Sequence, residues 1–108
     1  MINVKYNRKD LHITVTGHAY SGEPGHDLIC AAASILAHTI ADIVSSMEGD
    51  GYCNTACVRL DKGDAEISCA PAPDYSDTVL IAMDSVMTGF GILANNYPDN
   101  VSFTCDDI

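Results

Sequence analysis

Two side chains with chemical reactivity, His18 and Cys30, stand on either side of a glycine-rich stretch of the sequence. This stretch contains Gly22 and Gly25 and follows a predicted strand, so we expect an irregular loop there. Cys30 lies in the first turn of a predicted helix, where the helix dipole favours a thiolate over a thiol. An imidazole that accepts the thiol proton would favour the thiolate further. The spacing therefore indicates a Cys/His pair for nucleophilic catalysis.

Asp27 and Ser34 are the two polar residues predicted to support Cys30. Asp27 lies three residues before Cys30, and Ser34 lies four residues after it. At this spacing the three side chains share one face of the predicted helix. Asp27 is also predicted to be the N-cap of that helix. His26 is a second candidate imidazole, ranked behind His18 because the helix start disfavours a cation.

Other interpretations of these residues remain open at this point. Most cysteines in proteins are small buried hydrophobic residues, and most single histidines are exposed or satisfied in the core. A zinc site could also be built from His18, His26, Asp27 and Cys30, but the paired spacings typical of zinc ligands are absent. We therefore expect neither a metal nor a cofactor.

Composition and charge limit the classes of partner. The chain has 108 residues and a formal net charge of -10, from 5 Lys+Arg against 15 Asp+Glu. This charge argues against nucleic-acid binding and against an anionic membrane surface, because both need cationic side chains. The longest apolar stretch, Leu28 to Val44, is interrupted by polar residues, so no membrane span is predicted.

The cysteine count and the first residues predict a cytoplasmic location. There are five cysteines, an odd number, and the first six residues lack the pattern of an export signal. Thiols are then expected to stay reduced. The cysteines other than Cys30 are predicted to be structural packing residues, and they are Cys53, Cys57, Cys69 and Cys105.

The apolar periodicity predicts the order β-β-α-β-β-α-β. The predicted strands cover residues 2–6, 11–16, 52–60, 65–69 and 101–105, and the predicted helices run from Asp27 to Gly49 and from residue 74 or 76 to about Tyr97. This order indicates an α+β class, with a mostly antiparallel sheet and two helices packed on it. We predict a single domain over residues 1–108.

The stretch around His18 and Cys30 resembles a known family signature. Gly17-His18-Ala19 followed by Gly25-x-Asp27-Leu28-x-Cys30-Ala31-Ala32-x-Ser34 is similar to the motif of the ribosomal-processing cysteine proteases, the Prp family. The chain length, the element order and Gly89-Phe90-Gly91-Ile92-Leu93 before Tyr97-Pro98 extend the resemblance over essentially the whole chain.

The resemblance implies a role for each motif residue. Cys30 would be the nucleophile, and His18 the general base and later the acid for the leaving amine. Asp27 and Ser34 would support them, and N–H groups at the helix start, including that of Cys30, would bind the oxyanion. The substrate loop would contain Gly17, Ala19, Gly22 and Gly25.

The resemblance also implies a substrate and an assembly. The family removes a short N-terminal extension from a large-subunit ribosomal protein, the bacterial L-twenty-seven, cutting after aromatic residues. The expected partner is thus the N-terminal peptide of a basic ribosomal protein, and the expected assembly is a homodimer. The alternative is a non-catalytic dimeric module that binds the ribosome or its assembly factors.

Overall fold

The protein folds into five strands and two long helices in the predicted order. The computed structural model describes residues 1–18 and 26–107, and for residues 26 and 27 the backbone only. The elements are β1 (Ile2–Asn7), β2 (His12–Gly17), α1 (His26–Gly49), β3 (Cys53–Asp61), β4 (Asp64–Pro71), α2 (Ser76–Asn96) and β5 (Val101–Asp106), with a short 3-10 turn at Pro73–Tyr75. The predicted β-β-α-β-β-α-β order and α+β class are confirmed.

The strands form one sheet in the spatial order β3-β4-β2-β1-β5. Neighbouring strands are antiparallel except β1 and β5, which are parallel because α2 carries the chain back across the sheet. The turn between β1 and β2 is closed by the Asn7 side chain, which accepts a 3.1 Å hydrogen bond from the Asp10 N–H. The predicted mostly antiparallel sheet is thus confirmed.

One hydrophobic core lies between the sheet and the two helices. Alternate residues of β1 and β4 are buried, and the helices contribute stripes of apolar residues at helical spacing. α1 and α2 also pack against each other. The predicted apolar face of each helix is confirmed, and the buried residues of α2 are Val79, Met83, Met87, Phe90 and Leu93.

Both helices are more apolar than the sequence interpretation assumed. Leu28–Gly49 and Pro73–Asn96 each contain an 18-residue window with a mean hydropathy of 1.8 and 1.4, respectively, and by length and composition alone each could cross a membrane. Contrary to our expectation, the polar residues between Leu28 and Val44 do not remove this property. Core helices pass the same test, and here each helix buries one side against the sheet and the other helix.

Two of the predicted packing cysteines, Cys57 on β3 and Cys105 on β5, are exposed. A register irregularity between Cys53 and Thr55 breaks the alternation, so Cys53 is buried whereas Cys57 is exposed opposite Ser68. Cys105 lies opposite buried Tyr6, as its alternation predicts, but it is exposed on the outer strand β5. These two predictions were wrong. Cys69 is buried, and its burial raises the pKa of its thiol to about 12.

Candidate active site

A cleft of about 280 Å³ lies between α1 and the ends of the neighbouring strands. His18 and Cys30 both line it, so the fold brings together the two residues singled out in the sequence. Cys30 is half-buried on α1, and exposed His18 directly follows β2. A thiol and an imidazole that reach one cleft from separate elements provide the groups needed for nucleophilic catalysis. Their catalytic roles stay predictions.

The turn between β3 and β4 supports the His18 ring. Gly63 lies in this turn with φ +72, and a Cβ built there would be 2.8 Å from both Cε1 and Nε2 of His18. The ring therefore lies directly against the bare Cα of Gly63. The Gly17 N–H donates a 2.9 Å hydrogen bond to the Gly63 carbonyl, which fixes the end of β2 to the same turn. The imidazole is thus positioned by Gly17 at the end of β2 and by Gly63 in the β3–β4 turn.

The helix side of the cleft carries Cys30, Ser34 and His38 at four-residue spacing. His38 Nδ1 lies 2.8 Å from the Ser34 carbonyl oxygen and 3.4 Å from its hydroxyl. A carbonyl oxygen can only accept, so Nδ1 carries the hydrogen and neutral His38 keeps an acceptor at Nε2. Ser34 therefore contacts His38, and its predicted support of the Cys30 thiol stays a prediction.

The described part of α1 begins at His26, one residue before the predicted N-cap. The helix already includes His26, so Asp27 lies inside it rather than at the N-cap. Cys30 is then the fifth helical residue, and the i to i−4 ladder uses its N–H for the carbonyl of residue 26. The predicted binding of an oxyanion by N–H groups at the helix start, including that of Cys30, stays a prediction.

The predicted substrate loop falls mostly outside the described residues. Gly17 is described and lines the cleft. The side chain of Asp27 and the positions Ala19, Gly22 and Gly25 lie outside the described part of the chain, as does the side chain of His26. Their predicted roles stay predictions.

The rim of the cleft on the β3–β4 turn is charged, and its two carboxylates, Asp61 and Asp64, are paired with Arg59. Arg59 donates hydrogen bonds to Asp61 (3.1 Å) and Asp64 (2.9 Å), and these carboxylates raise the pKa of its guanidinium. The interior of the cleft is mainly apolar. Its small and aliphatic lining residues are Ile2, Val15, Ala33, Ala37, Leu60 and Ala65.

Metal-ligating residues do not cluster in the described part of the chain. Across residues 1–18 and 26–107, no three His, Cys, Asp or Glu side chains come together in a way that could hold an ion. The zinc alternative also needs His26 and Asp27, whose side chains lie outside the description.

Sequence reasoning missed two features of the cleft. The sequence predicts His38 as a solvated helix residue, and its side chain is exposed, but its position eight residues after Cys30 also lets it line the cleft. The segment Asp61–Asp64 was interpreted only as a turn, and nothing in its sequence indicates that Gly63 meets His18. The first feature has a signal in the spacing, whereas the second depends on tertiary structure.

A half-buried thiol on a helix and an imidazole that line one cleft are the reactive groups of the thiol hydrolase class of enzyme. Comparison with family models narrows this class. Residues 1–102 match the model described as cysteine protease Prp, and the chain belongs to that family. The protein is therefore a cysteine protease, and this finding disfavours the non-catalytic binding module.

Solved structures with the same fold cover almost the whole chain. SMU.848 from Streptococcus mutans is 28% identical with a TM-score of 0.71, over 99% of this chain and 93% of that one. The ribosomal processing protease Prp from S. aureus, solved with a covalently linked product peptide, is 21% identical with a TM-score of 0.72. The match covers 98% of this chain and 100% of that one. A second structure of that protease, with a substrate peptide, is 18% identical with a TM-score of 0.67 and covers 97% of each chain. Comparison with curated proteins gave no match.

Proposed function

We propose that this protein is an endopeptidase that removes the short N-terminal extension of a large-subunit ribosomal protein, the bacterial L-twenty-seven. The observation that carries the proposal is that Cys30 and His18 line one cleft at the start of α1. Family membership supports the protease activity. The S. aureus relative, a ribosomal processing protease that binds peptides, supports the substrate class.

In the proposed mechanism, His18 takes the thiol proton and the Cys30 sulfur attacks the carbonyl carbon of the scissile bond. The N–H groups at the start of α1 and the helix dipole stabilise the negative oxygen that forms. The C–N bond breaks as His18 donates its proton to the leaving amine, which leaves a thioester on Cys30. His18 then deprotonates a water molecule, which attacks the thioester and releases the peptide carboxylate and the thiol.

The interior of the cleft fits the expected cut after an aromatic residue. Ala33 and Ala37 are buried on the helix side and have short side chains, which leaves room above them. Val15 and Leu60 provide apolar contacts on the strand side. An aromatic ring in this space would be removed from water without burying a polar group.

The charge of the protein supports a cationic substrate. With a net charge of -10, the protein attracts a basic ribosomal protein over a distance set by the ionic strength. A cytoplasmic location and a homodimeric assembly complete the proposal. Sedimentation at several protein concentrations measures the assembly.

The test is cleavage of a ribosomal-protein N-terminal peptide that contains a Phe-Phe pair, followed by mass spectrometry. Wild type should cut after the aromatic pair. Cys30→Ala and His18→Ala should each lower the rate by about 10⁴-fold or more, as for nucleophiles and bases in related chemistry. The matched control is Cys57→Ala, which removes an exposed thiol outside the cleft and should cut like wild type. Cleavage that survives Cys30→Ala would remove the proposed mechanism.

A further inference from the structure

β3 is an outer strand, and hydrogen bonds on both sides of the sheet fix the direction of its main-chain groups. The Cys69 N–H donates to the Leu11 carbonyl, so it points towards β2 and away from β3. Ala56 lies directly opposite Cys69. In an antiparallel pair, two facing residues that do not hydrogen-bond each other both direct their main-chain N–H and C=O groups away from the partner strand. The Ala56 N–H therefore points out of the sheet, and its 2.7 Å hydrogen bond to the Glu48 carboxylate agrees.

The same direction holds for every second residue of β3, which includes Val58 and Leu60. Among the described residues, no hydrogen bond is found for the outward N–H and C=O groups of these two. Glu48 covers only Ala56. Their side chains lie opposite buried Ile67 and Ala65, and so face the helix side of the sheet. They are nevertheless 42% and 37% exposed.

This open edge leads into the cleft. Leu60, at the end of β3, lines the same cleft as Cys30 and His18. Natural proteins usually block such an edge with lysine, proline or a bulge, because an unpaired strand recruits another one. Here the irregularity lies between Cys53 and Thr55, at the far end from the cleft. The segment next to the cleft has outward main-chain groups and apolar side chains, which are the features used in strand addition.

We propose that the substrate docks on β3 as an added strand, exchanging main-chain hydrogen bonds with Val58 and Leu60 before it enters the cleft. This inference rests on the proposed function for the identity of the peptide. An extended segment matches the spacing of the two residues, about 7 Å along the strand. Alternate substrate side chains would contact the exposed apolar groups of the edge. The occupant is the substrate because the edge is continuous with the cleft that contains the reactive groups.

The experiment measures binding of a labelled Phe-Phe peptide to the Cys30→Ala protein by fluorescence anisotropy. Each peptide amide is replaced in turn by an ester, which removes one N–H donor and keeps the shape of the chain. We expect a loss of affinity of about tenfold at amides that point to β3 and little change at the amides between them. Because the amides of an extended chain alternate in direction, the losses should fall at every second position.

Three results would overturn the docking. They are equal losses at all positions, no loss at any position, and no binding of the unmodified peptide. A second copy of the chain on β3 would instead make peptide affinity fall as the protein concentration rises, without the alternation. Cleavage of the unmodified peptide by wild type is measured separately. A peptide that shows the alternation but is not cut contradicts the proposed function and leaves the docking supported.

Discussion

Among the described residues, two clefts lie near opposite ends of β1, and their polar groups are arranged in opposite ways. The first contains Ile2 and the reactive pair. The second, about 420 Å³, contains Tyr6 and Arg8. In the second cleft, Arg8 donates from Nε (3.1 Å) and Nη2 (2.9 Å) to Asp84, and the Tyr6 hydroxyl donates to the same carboxylate at 2.9 Å. The second cleft is therefore lined by a cluster whose polar groups bind each other.

The two clefts differ in whether their polar groups are already bonded to one another. In the second cleft, Arg8 also bonds Asp107 at 2.6 Å, so the network joins β1, α2 and the residues after β5. Such a network holds elements together and leaves little for a ligand to bind. In the first cleft, the reactive groups come from α1 and from the residue after β2, with space between them. We expect substitutions in the two clefts to separate activity from stability.

Gly63→Ala should show the largest loss of activity that is not explained by a loss of stability. The added Cβ would be 2.8 Å from the His18 ring, so the imidazole must move. A displacement of about 1 Å at a catalytic group lowers activity on the order of 100-fold. Peptide cleavage measures this loss, with circular dichroism to verify the fold.

Gly51→Ala is the matched control for this substitution. Gly51 also has a positive φ, of 85, but a Cβ there meets no atom within 4 Å. Both variants bear the backbone strain of alanine in the left-handed region, about 1–2 kcal/mol, and only one touches His18. Equal activities of the two variants would contradict the positioning role of Gly63.

In the second cleft, Asp84→Asn should lower stability and leave cleavage unchanged. Hydrogen bonds from Arg8 are the main cause that lowers the pKa of Asp84, with a further contribution from Tyr6. A lowered pKa means that the folded state favours the carboxylate. The contribution of the ionised Asp84 carboxylate to folding stability is complete above the unfolded pKa, about 3.9. It is lost as the pH falls through the lower pKa of the folded state.

Urea unfolding from pH 7 to pH 3 measures this effect. The stability difference between wild type and Asp84→Asn should be greatest near neutral pH and should shrink in acid. Tyr6→Phe removes one hydrogen bond of the network and should cost about 1 kcal/mol at neutral pH. Asp42→Asn, at an exposed position of α1, is the control and should unfold like wild type. A difference that does not change with pH would contradict the assignment.

The sequence predicted the elements well because their signals are local. Alternation gives the buried residues of β1 and β4, and helical spacing gives the apolar faces of α1 and α2. The irregularity of β3 has no such signal, and it reversed the prediction for Cys57. His18 and Cys30 were found from residue type and spacing. The contact between Gly63 and His18 was not found, because the two residues are 45 positions apart and meet only once the strands are ordered in the sheet.

His38 gives the smallest expected effect and tests how far the first cleft extends along α1. It lies eight residues from Cys30, about 12 Å along the helix, and lines the same cleft. With Nδ1 donating to the Ser34 carbonyl, Nε2 is left to accept a hydrogen bond from a peptide. His38→Gln should therefore raise KM about threefold and leave kcat unchanged, since one exposed hydrogen bond is weak.

His12→Gln is the control for this measurement, because His12 is paired with Glu66 at 2.7 Å and does not line the cleft. It should leave both kinetic parameters at their wild-type values. A change in kcat for His38→Gln would mean that His38 acts on the reacting atoms rather than on the bound peptide. No change in either parameter would return His38 to the solvated position that the sequence predicted, and would limit the substrate-binding part of the cleft to the region near Cys30 and Ser34.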